Sequence, residues 1–159
     1  MIRPLVPSDR QWSDTLVSEH FGSSRIVTRG RVHDAAALPG FVAMGGDAPV
    51  GLLQFRIDEG ECEILVLVVE QPRKGIGTAL LARVRDTART AGCSRLWLVT
   101  TNDNVAARSL YEALGWRLVA VRKGAVNRSR LLKPEIPERN AAGVAIEDEL
   151  EYEIDVASE

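Results

Sequence analysis

The chain is poor in the residues from which proteins build metal and redox sites. Its 159 residues include only two cysteines and two histidines. Cys62 and Cys93 form no Cys-x-x-Cys pair, and no histidine cluster lies near them in the sequence, so neither a zinc site nor a redox pair is predicted. We expect two buried thiols in a reducing compartment, and no metal ion.

Long apolar segments and a charge imbalance are also missing. No apolar run approaches membrane-spanning length, and the first residues lack the apolar core of a signal peptide. A net charge of −2 creates no overall field that would attract nucleic acid or an anionic membrane. We therefore expect one globular domain at residues 1–159, in the cytoplasm, as a monomer or homodimer without nucleic-acid or membrane partners.

Apolar periodicity predicts a chain in which strands and helices are mixed. Alternating or continuous apolar runs predict strands at 2–6, 24–32, 41–44, 49–57, 61–69, 95–101, 116–121 and 149–155. Helical spacing predicts helices at 10–20, 76–91 and 103–114, the last capped by Asn102 or Asp103, and a short helical turn within 124–133. This order predicts an α/β (α+β) layer structure.

The turn at 68–81, VVEQPRKGIGTALL, is the most informative segment. An apolar strand ends, a basic pair and two glycines follow, and a helix begins at once. The start of a helix leaves N–H groups unpaired and carries partial positive charge, so the turn predicts a site for a phosphate or pyrophosphate group. An NTPase loop would need Gly-Lys-Ser/Thr, and a dinucleotide fold would need glycine where Leu80 stands. The pyrophosphate of coenzyme A and an ordinary tightly packed turn remain as alternatives.

A second pattern, NDNVAARSLYEALGW at 102–116, makes the first more specific. The first segment resembles the coenzyme motif Arg/Gln-x-x-Gly-x-Gly/Ala of the GNAT superfamily of N-acetyltransferases. The second resembles that superfamily's signature Asn-x-x-Ala-x-x-aromatic/Leu-Tyr-x-x-x-Gly-Phe. Its matching positions are Asn104, Ala107, Leu110, Tyr111 and Gly115, with Trp116 in place of phenylalanine. The two motifs occur in the family order, and the resemblance covers roughly residues 49–121.

The resemblance implies a fold and a co-substrate. It implies a mixed, mostly antiparallel sheet of six to seven strands flanked by helices, whose fourth and fifth strands splay apart to receive acetyl-CoA. The coenzyme is then expected to contact the end of the fourth strand, the glycine turn and the second motif, at Leu67, Val68, Val69, Arg73, Lys74, Gly75, Ile76, Gly77, Thr78 and Asn104. The chain departs from the pattern at Pro72, where the family has Arg or Gln, and proline removes one N–H donor.

The resemblance also implies a reaction. An acetyl group would pass directly to a primary amine of a small molecule or peptide within a ternary complex, without an acetyl-enzyme. Tyr111 is expected to be the acid that protonates the departing thiolate. Two other functions fit the same motifs: a non-catalytic acyl-CoA-binding sensor or partner module with a GNAT-like fold, and a nucleotide-binding regulatory domain that prefers NAD or ATP.

Candidate bases come from the residues themselves. Glu63 lies in the apolar strand at 61–69, and simple alternation predicts that it shares a face with Leu65 and Leu67. Burial beside apolar neighbours would raise its pKa and allow it to accept an amine proton, directly or through water. Glu61, nearer the exposed end of the strand, and His33 are the alternatives.

Overall fold

The computed structural model describes residues 1–71 and 74–157. These residues form the strands β1 (Ile2–Pro4), β2 (Arg25–Thr28), β3 (Arg31–Asp34), β4 (Gly40–Gly45), β5 (Ala48–Asp58), β6 (Glu61–Val69), β7 (Arg95–Thr101), β8 (Arg117–Arg122) and β9 (Glu149–Asp155). The helices are α1 (Arg10–Phe21), α2 (Ile76–Thr90), α3 (Val105–Ala113) and α4 (Ala125–Leu132). Among the residues described, no helix combines the length and the apolar character needed to cross a membrane.

Seven strands form one sheet in the order β1-β4-β5-β6-β7-β9-β8. All neighbouring pairs are antiparallel except β6 and β7, which run parallel from the pair Glu61 and Arg95 to the pair Ile64 and Leu98. Beyond Ile64, β6 continues only beside β5, and β7 only beside β9, within the part of the chain described. These two strands are the fourth and fifth across the sheet. The predicted fold class, including the splayed strands, is therefore confirmed.

We call the space between residues 65–69 of β6 and 99–101 of β7 the fork. A β-bulge lies at its base, because the register with β5 passes from Gln54 opposite Val66 to Phe55 opposite Ile64 and skips Leu65. A bulge changes which face of the sheet the following side chains occupy. Ile64 packs in the core beneath α2, whereas Leu65 and Val66 pack in the core beneath α1.

Two hydrophobic cores cover the two faces of the sheet. The larger core joins α2 and α3 to the sheet, and its buried members include Leu80, Val84, Tyr111 and Trp116. The smaller core joins α1 to the other face of the sheet through residues such as Leu16. We refer to these as the α2/α3 face and the α1 face.

The predicted strand at 24–32 is wrong in one respect. It is a two-stranded hairpin of β2 and β3 that is separate from the main sheet. The hairpin turns at Arg29 and Gly30, whose φ angles are +52° and +75°. Two central residues with positive φ favour a tight hairpin turn, and glycine adopts this conformation without steric cost. The sequence signal was weak because only one of the two turn residues is glycine.

The predicted cap of α3 is also corrected. The cap is Asn104, whose side-chain oxygen accepts the N–H of Ala107 at 3.3 Å. The Asn102 side chain instead holds the segment that precedes β9. Its amide donates to the carbonyl of Ala145 at 2.9 Å, and its oxygen accepts the N–H of Asp148 at 3.0 Å. The tail is thereby tied to the start of α3.

A buried lysine fixes α4 beside α1 and the hairpin. The predicted helical turn within 124–133 is the eight-residue helix α4, and Lys133 follows it. The Lys133 ammonium donates to the carbonyls of Phe21 at 2.6 Å and Arg25 at 2.5 Å. Because Phe21 ends α1, the ammonium also meets the negative end of that helix. These contacts place α4 over the α1 face, beside the hairpin.

Candidate active site

The fork presents backbone groups of β6 that have no strand partner among the described residues. Glu70 donates its N–H to the carbonyl of Val50 at 2.8 Å, and this bond shows which residues of β6 direct their backbone groups toward β5. Because N–H and C=O groups alternate in direction along such a ladder, those of Val68 point to β5, and those of Leu67 and Val69 point into the fork. An unpaired edge of this kind can bind an extended chain as an added strand. Leu67 and Val69 thus have backbone groups available to a ligand, whereas Val68, predicted with them, does not.

The glycine turn lies at the start of α2. Gly75 is the N-terminal cap of the helix and has a φ of +73°, so this position favours glycine for its backbone conformation. No side chain caps the helix among the residues described, and the first N–H groups of α2 lack a capping partner. Lys74 and Thr78 are exposed, and Ile76 is half-buried. Arg73, predicted to bind the coenzyme, and Pro72, where the chain departs from the family motif, lie outside the described residues.

Gly77 has a different environment from Gly75. A Cβ atom at Gly77 would lie 3.5 Å from Leu110 of α3 and 3.8 Å from Val69 of β6. Both distances are ordinary van der Waals contacts, so folding does not require glycine here. The contacts show that the start of α2 lies beside α3 and the open end of the fork. The predicted anion site and the unpaired strand edge are therefore neighbours.

Tyr111 lies on the α2/α3 face near the base of the fork. Its ring centroid is 5.6 Å from that of Trp116 and 5.7 Å from that of Tyr152. Tyr152 is opposite Leu98, the last residue of β7 that pairs with β6. Tyr111 itself is 6% exposed, and its hydroxyl forms no hydrogen bond within the part of the chain described. Burial raises the pKa of Tyr111 to about 12, so the hydroxyl keeps its proton at neutral pH.

Asn104 is exposed at the start of α3. The cap uses its side-chain oxygen, which leaves the side-chain NH₂ group available to a ligand. Its predicted contact with the pantetheine arm stays a prediction.

Glu63 lies on the α1 face, one residue before the end of the β6–β7 pairing, and is 2% exposed. Its carboxylate accepts the hydroxyl of Thr28 at 2.8 Å and the guanidinium of Arg56 at 3.4 Å. Burial raises the pKa of Glu63, and the hydrogen bond from Thr28 and the charge of Arg56 partly offset this effect. The prediction that Glu63 shares a face with Leu67 is wrong, because the bulge at Leu65 moves Leu67 to the α2/α3 face.

The two alternative bases have less suitable surroundings. Glu61 is partly exposed and is 3.4 Å from the guanidinium of Arg95. His33 is buried and lies 3.3 Å from the Thr28 hydroxyl, which links it to Glu63. Burial and the nearby charge of Arg56 lower the pKa of His33 to about 4. His33 is therefore neutral at pH 7, and it contacts the base candidate through a hydroxyl group.

The cysteines are buried free thiols, as expected. Burial raises the pKa of Cys62 to about 12, and it also raises the pKa of Cys93. A thiol that stays protonated at neutral pH is a poor nucleophile. Neither cysteine is therefore suited to carry an acetyl group.

Sequence reasoning missed a second buried acid, Glu149. It is 3% exposed, and its carboxylate accepts the backbone N–H of Arg29 at 3.3 Å. Burial raises the pKa of Glu149, and the contact with the Arg29 N–H partly offsets the effect. The alternation of β9 carried the signal, because Leu150 and Tyr152 pack in the larger core and Glu149 must face the other way.

Ion pairs lie next to Glu149 on the α1 face. Glu151 accepts the guanidinium of Arg95 at 2.6 Å and that of Arg122 at 2.7 Å. Burial acts to raise the pKa of Glu151, but the bonds from Arg95 and Arg122 outweigh it, so the pKa is lowered. The Arg29 guanidinium lies over the Trp97 ring, 5.5 Å from its centroid. The α1 face therefore has fixed charges, whereas the larger core on the α2/α3 face is apolar.

Known proteins are similar to this chain in sequence and in fold. Residues 8–116 match the model of the Acetyltransferase (GNAT) family. The uncharacterized protein YdhI of Bacillus subtilis (strain 168) is 39% identical over 134 residues, which are 84% of each chain. The [Ribosomal protein bS18]-alanine N-acetyltransferase of Escherichia coli (strain K12) is 32% identical over 79 residues, covering 50% of this chain and 53% of the relative.

Solved structures agree in fold at lower sequence identity. The crystal structure of the ribosomal-protein-S18-alanine N-acetyltransferase from Escherichia coli has a TM-score of 0.71 at 17% identity, covering 100% of this chain and 95% of the other. A Bacillus subtilis acetyltransferase in complex with CoA has a TM-score of 0.67 at 17% identity, covering 97% of each chain. The family match includes both motifs and the fork between them. The chain therefore belongs to the GNAT family of acetyltransferases.

Proposed function

We propose that the protein is an acetyl-CoA-dependent N-acetyltransferase that transfers the acetyl group to a primary amine of a small molecule or peptide. One observation carries the proposal: Tyr111 and Glu63 lie near the base of the fork on opposite faces of the sheet. A ligand in the fork would then have an acid on one side and a base on the other. The CoA bound to the Bacillus subtilis structure and the alanine acceptor of the Escherichia coli relative support this reading.

The chain has suitable groups for coenzyme A. The N–H groups at the start of α2 and the charge of Lys74 suit the pyrophosphate. The backbone groups of Leu67 and Val69 in the fork suit the amides of the pantetheine arm. Asn104 adds a side-chain NH₂ group nearby. When bound, the coenzyme supplies an acetyl thioester.

The residues at the base of the fork have distinct roles in the proposed reaction. Glu63 accepts a proton from the ammonium of the acceptor, directly or through water, so that the amine can attack. A backbone N–H in the fork stabilises negative charge on the acetyl oxygen. The protonated hydroxyl of Tyr111 donates to the departing sulfur. The surplus proton on the attacking nitrogen leaves to solvent, and Tyr111 regains a proton from solvent. The transfer is direct, since both cysteines are buried with raised pKa values.

A second candidate function is a non-catalytic module that binds acyl-CoA. The observation that favours it is that both carboxylate oxygens of Glu63 already accept hydrogen bonds, one from Thr28 and the other from Arg56. A sensor of this kind would share the coenzyme site but would catalyse no acetyl transfer, and only the enzyme would have a turnover that depends on Tyr111. A nucleotide-binding regulatory domain would instead prefer NAD or ATP to coenzyme A.

Gly77→Val tests the coenzyme site. The motif accepts glycine or alanine at this position, and a Cβ atom at Gly77 would have only ordinary contacts, so the fold itself does not require glycine here. The larger valine side chain would project into the approach to the start of α2, so we expect affinity for CoA to fall at least ~10-fold, with a smaller effect on the melting temperature. Calorimetric titration with CoA, NAD and ATP measures this, with Thr90→Ala at the far end of α2 as control. Unchanged CoA affinity, or tighter binding of NAD or ATP, contradicts the assignment.

Tyr111→Phe tests the acid. The variant keeps the ring and loses a hydroxyl that has no protein partner among the described residues, so stability should barely change. Turnover should fall by about 10²–10⁴-fold, while the Kd for CoA stays constant. Tyr152→Phe is the matched control. It loses hydrogen bonds with Glu112 and Arg108 and should lose about 1 kcal/mol of stability but little turnover.

Two results would remove Tyr111 from the mechanism. One is near wild-type turnover in Tyr111→Phe, and the other is an equal loss of turnover in both tyrosine variants. A wild-type protein that binds CoA but acetylates no amine in a broad screen with free-thiol detection would support the sensor function.

Glu63→Gln tests the base through the pH dependence of turnover. A base works only when deprotonated, so wild-type turnover should rise with pH through the pKa of Glu63, which burial places above its ordinary value. In the variant this acidic limb should vanish, and turnover at neutral pH should fall by about 10²–10⁴-fold. Glu61→Gln, which changes the partly exposed glutamate two residues earlier on the same strand, should keep the limb. If Glu61→Gln removes the limb and Glu63→Gln does not, the assignment is reversed.

A further inference from the structure

A cavity of about 390 Å³ lies on the α1 face. It is lined by Glu149 at the start of β9, by the Arg29–Gly30 turn of the hairpin, and by α4. Glu149 pairs with Thr101, the last residue of β7, so the cavity adjoins the open end of the fork. An acceptor in this cavity would reach the fork from the face opposite α2 and α3.

Arg122 has an unused donor at this cavity. One of its guanidinium nitrogens donates to Glu151 at 2.7 Å. A second guanidinium nitrogen, Nη1, is buried and has no hydrogen-bond partner within the described parts of the chain. A buried N–H group without a partner is costly, so a small turn of the Arg122 side chain toward a ligand oxygen in the cavity would satisfy it.

Arg128 places a second guanidinium at the cavity. Ala125, Arg128, Ser129 and Leu132 recur at helical spacing, so one face of α4 lines the space. Arg128 is exposed and makes no ion pair or hydrogen bond with the residues described. Its charge is therefore available to a ligand.

The balance of charge determines which ligand fits. Three arginines and one carboxylate line the cavity, so its net charge is positive. Arg29 and Arg122 both pair with Glu151, at 3.8 Å and 2.7 Å, and Arg29 also lies over Trp97. The Arg128 guanidinium and the second terminal nitrogen of Arg122, Nη1, remain for an anion. Glu149 offers a carboxylate that only accepts hydrogen bonds when ionised. A polyamine would be repelled by this surface.

We propose that the acetyl acceptor carries an anionic group, a carboxylate or a phosphate, in addition to its amine, and that Arg122 and Arg128 bind that group in this cavity. The inference rests on the proposed acetyl transfer, since it takes the ligand of the cavity to be the acceptor. Guanidinium groups form bidentate pairs with the oxygens of carboxylates and phosphates. An acceptor that carries both groups is similar to an amino acid or a phosphorylated amino alcohol.

Matched acceptor pairs test the proposal. Each L-amino acid is compared with its own carboxamide, and phosphoethanolamine with ethanolamine, in an acetyl-CoA assay with free-thiol detection. We expect the anionic member of at least one pair to be preferred. For that acceptor, Arg128→Gln should lower kcat/KM by about 10–100-fold, mainly through KM, as expected for the loss of a hydrogen bond to a charged group. The Kd for CoA should not change.

Lys123→Gln is the control for long-range charge, because Lys123 is exposed nearby but does not line the cavity. It should change kcat/KM by less than about 2-fold, since exposed charges are screened by salt. Equal turnover of both members in every pair, or an equal loss in Arg128→Gln and Lys123→Gln, overturns the anionic acceptor.

A binding measurement separates this inference from the proposed function. If no amine is acetylated, the proposed function fails, and thermal melting with saturating CoA still tests the cavity. Amino acids or phosphoethanolamine at millimolar concentration should raise the melting temperature of the wild type but not of Arg128→Gln. The absence of any shift in the wild type overturns the anion site.

Discussion

The interrupted pairing of β6 and β7 at the centre of the sheet is the constraint on which the rest of the structure depends. The two strands pair only as far as Ile64 and Leu98, and then each follows its outer neighbour. Backbone amides inside a protein are normally paired, because an unpaired group loses its bonds to water without replacement. The fork leaves the amides of Leu67 and Val69 directed at open space, where a ligand or water can bind them. The bulge at Leu65 adds a second irregularity at the same level.

The fork also separates two chemical environments. The α2/α3 face carries the glycine turn, Asn104 and Tyr111, together with the larger apolar core. The α1 face carries Glu63 and Glu149 among arginines that hold fixed charges. Direct acetyl transfer uses a base at the attacking amine and an acid at the departing sulfur, and in our proposal each face of the sheet supplies one of them. In our account the α2/α3 face serves the coenzyme and the α1 face serves the acceptor, whose anionic group would bind in the basic cavity beside α4.

Local signals made most of the fold predictable from the sequence. The continuous apolar run of β6, the helical spacing of α2 and the alternation of β9 gave the bounds that the structure has, or nearly so. The helix-start chemistry of the glycine turn was also visible in the sequence. Glu149 was missed because its importance depends on the long-range contact of β9 with the hairpin turn at Arg29. The face of Leu67 was wrong because a β-bulge leaves no mark in the apolar pattern. The positions of Arg122 and Arg128 around one cavity also depend on contacts between elements that are distant in sequence.

We propose that the fork receives the coenzyme through the backbone of β6. Amide hydrogen exchange, followed by NMR with and without acetyl-CoA, tests it at single residues. Saturating acetyl-CoA should slow exchange at Leu67, Val69 or both by at least about 10-fold, because a hydrogen-bonded amide must open before it exchanges. Val68 should exchange slowly in both states, because its N–H already points to β5. Slower exchange confined to the start of α2, with Leu67 and Val69 unchanged in the saturated complex, would contradict the account.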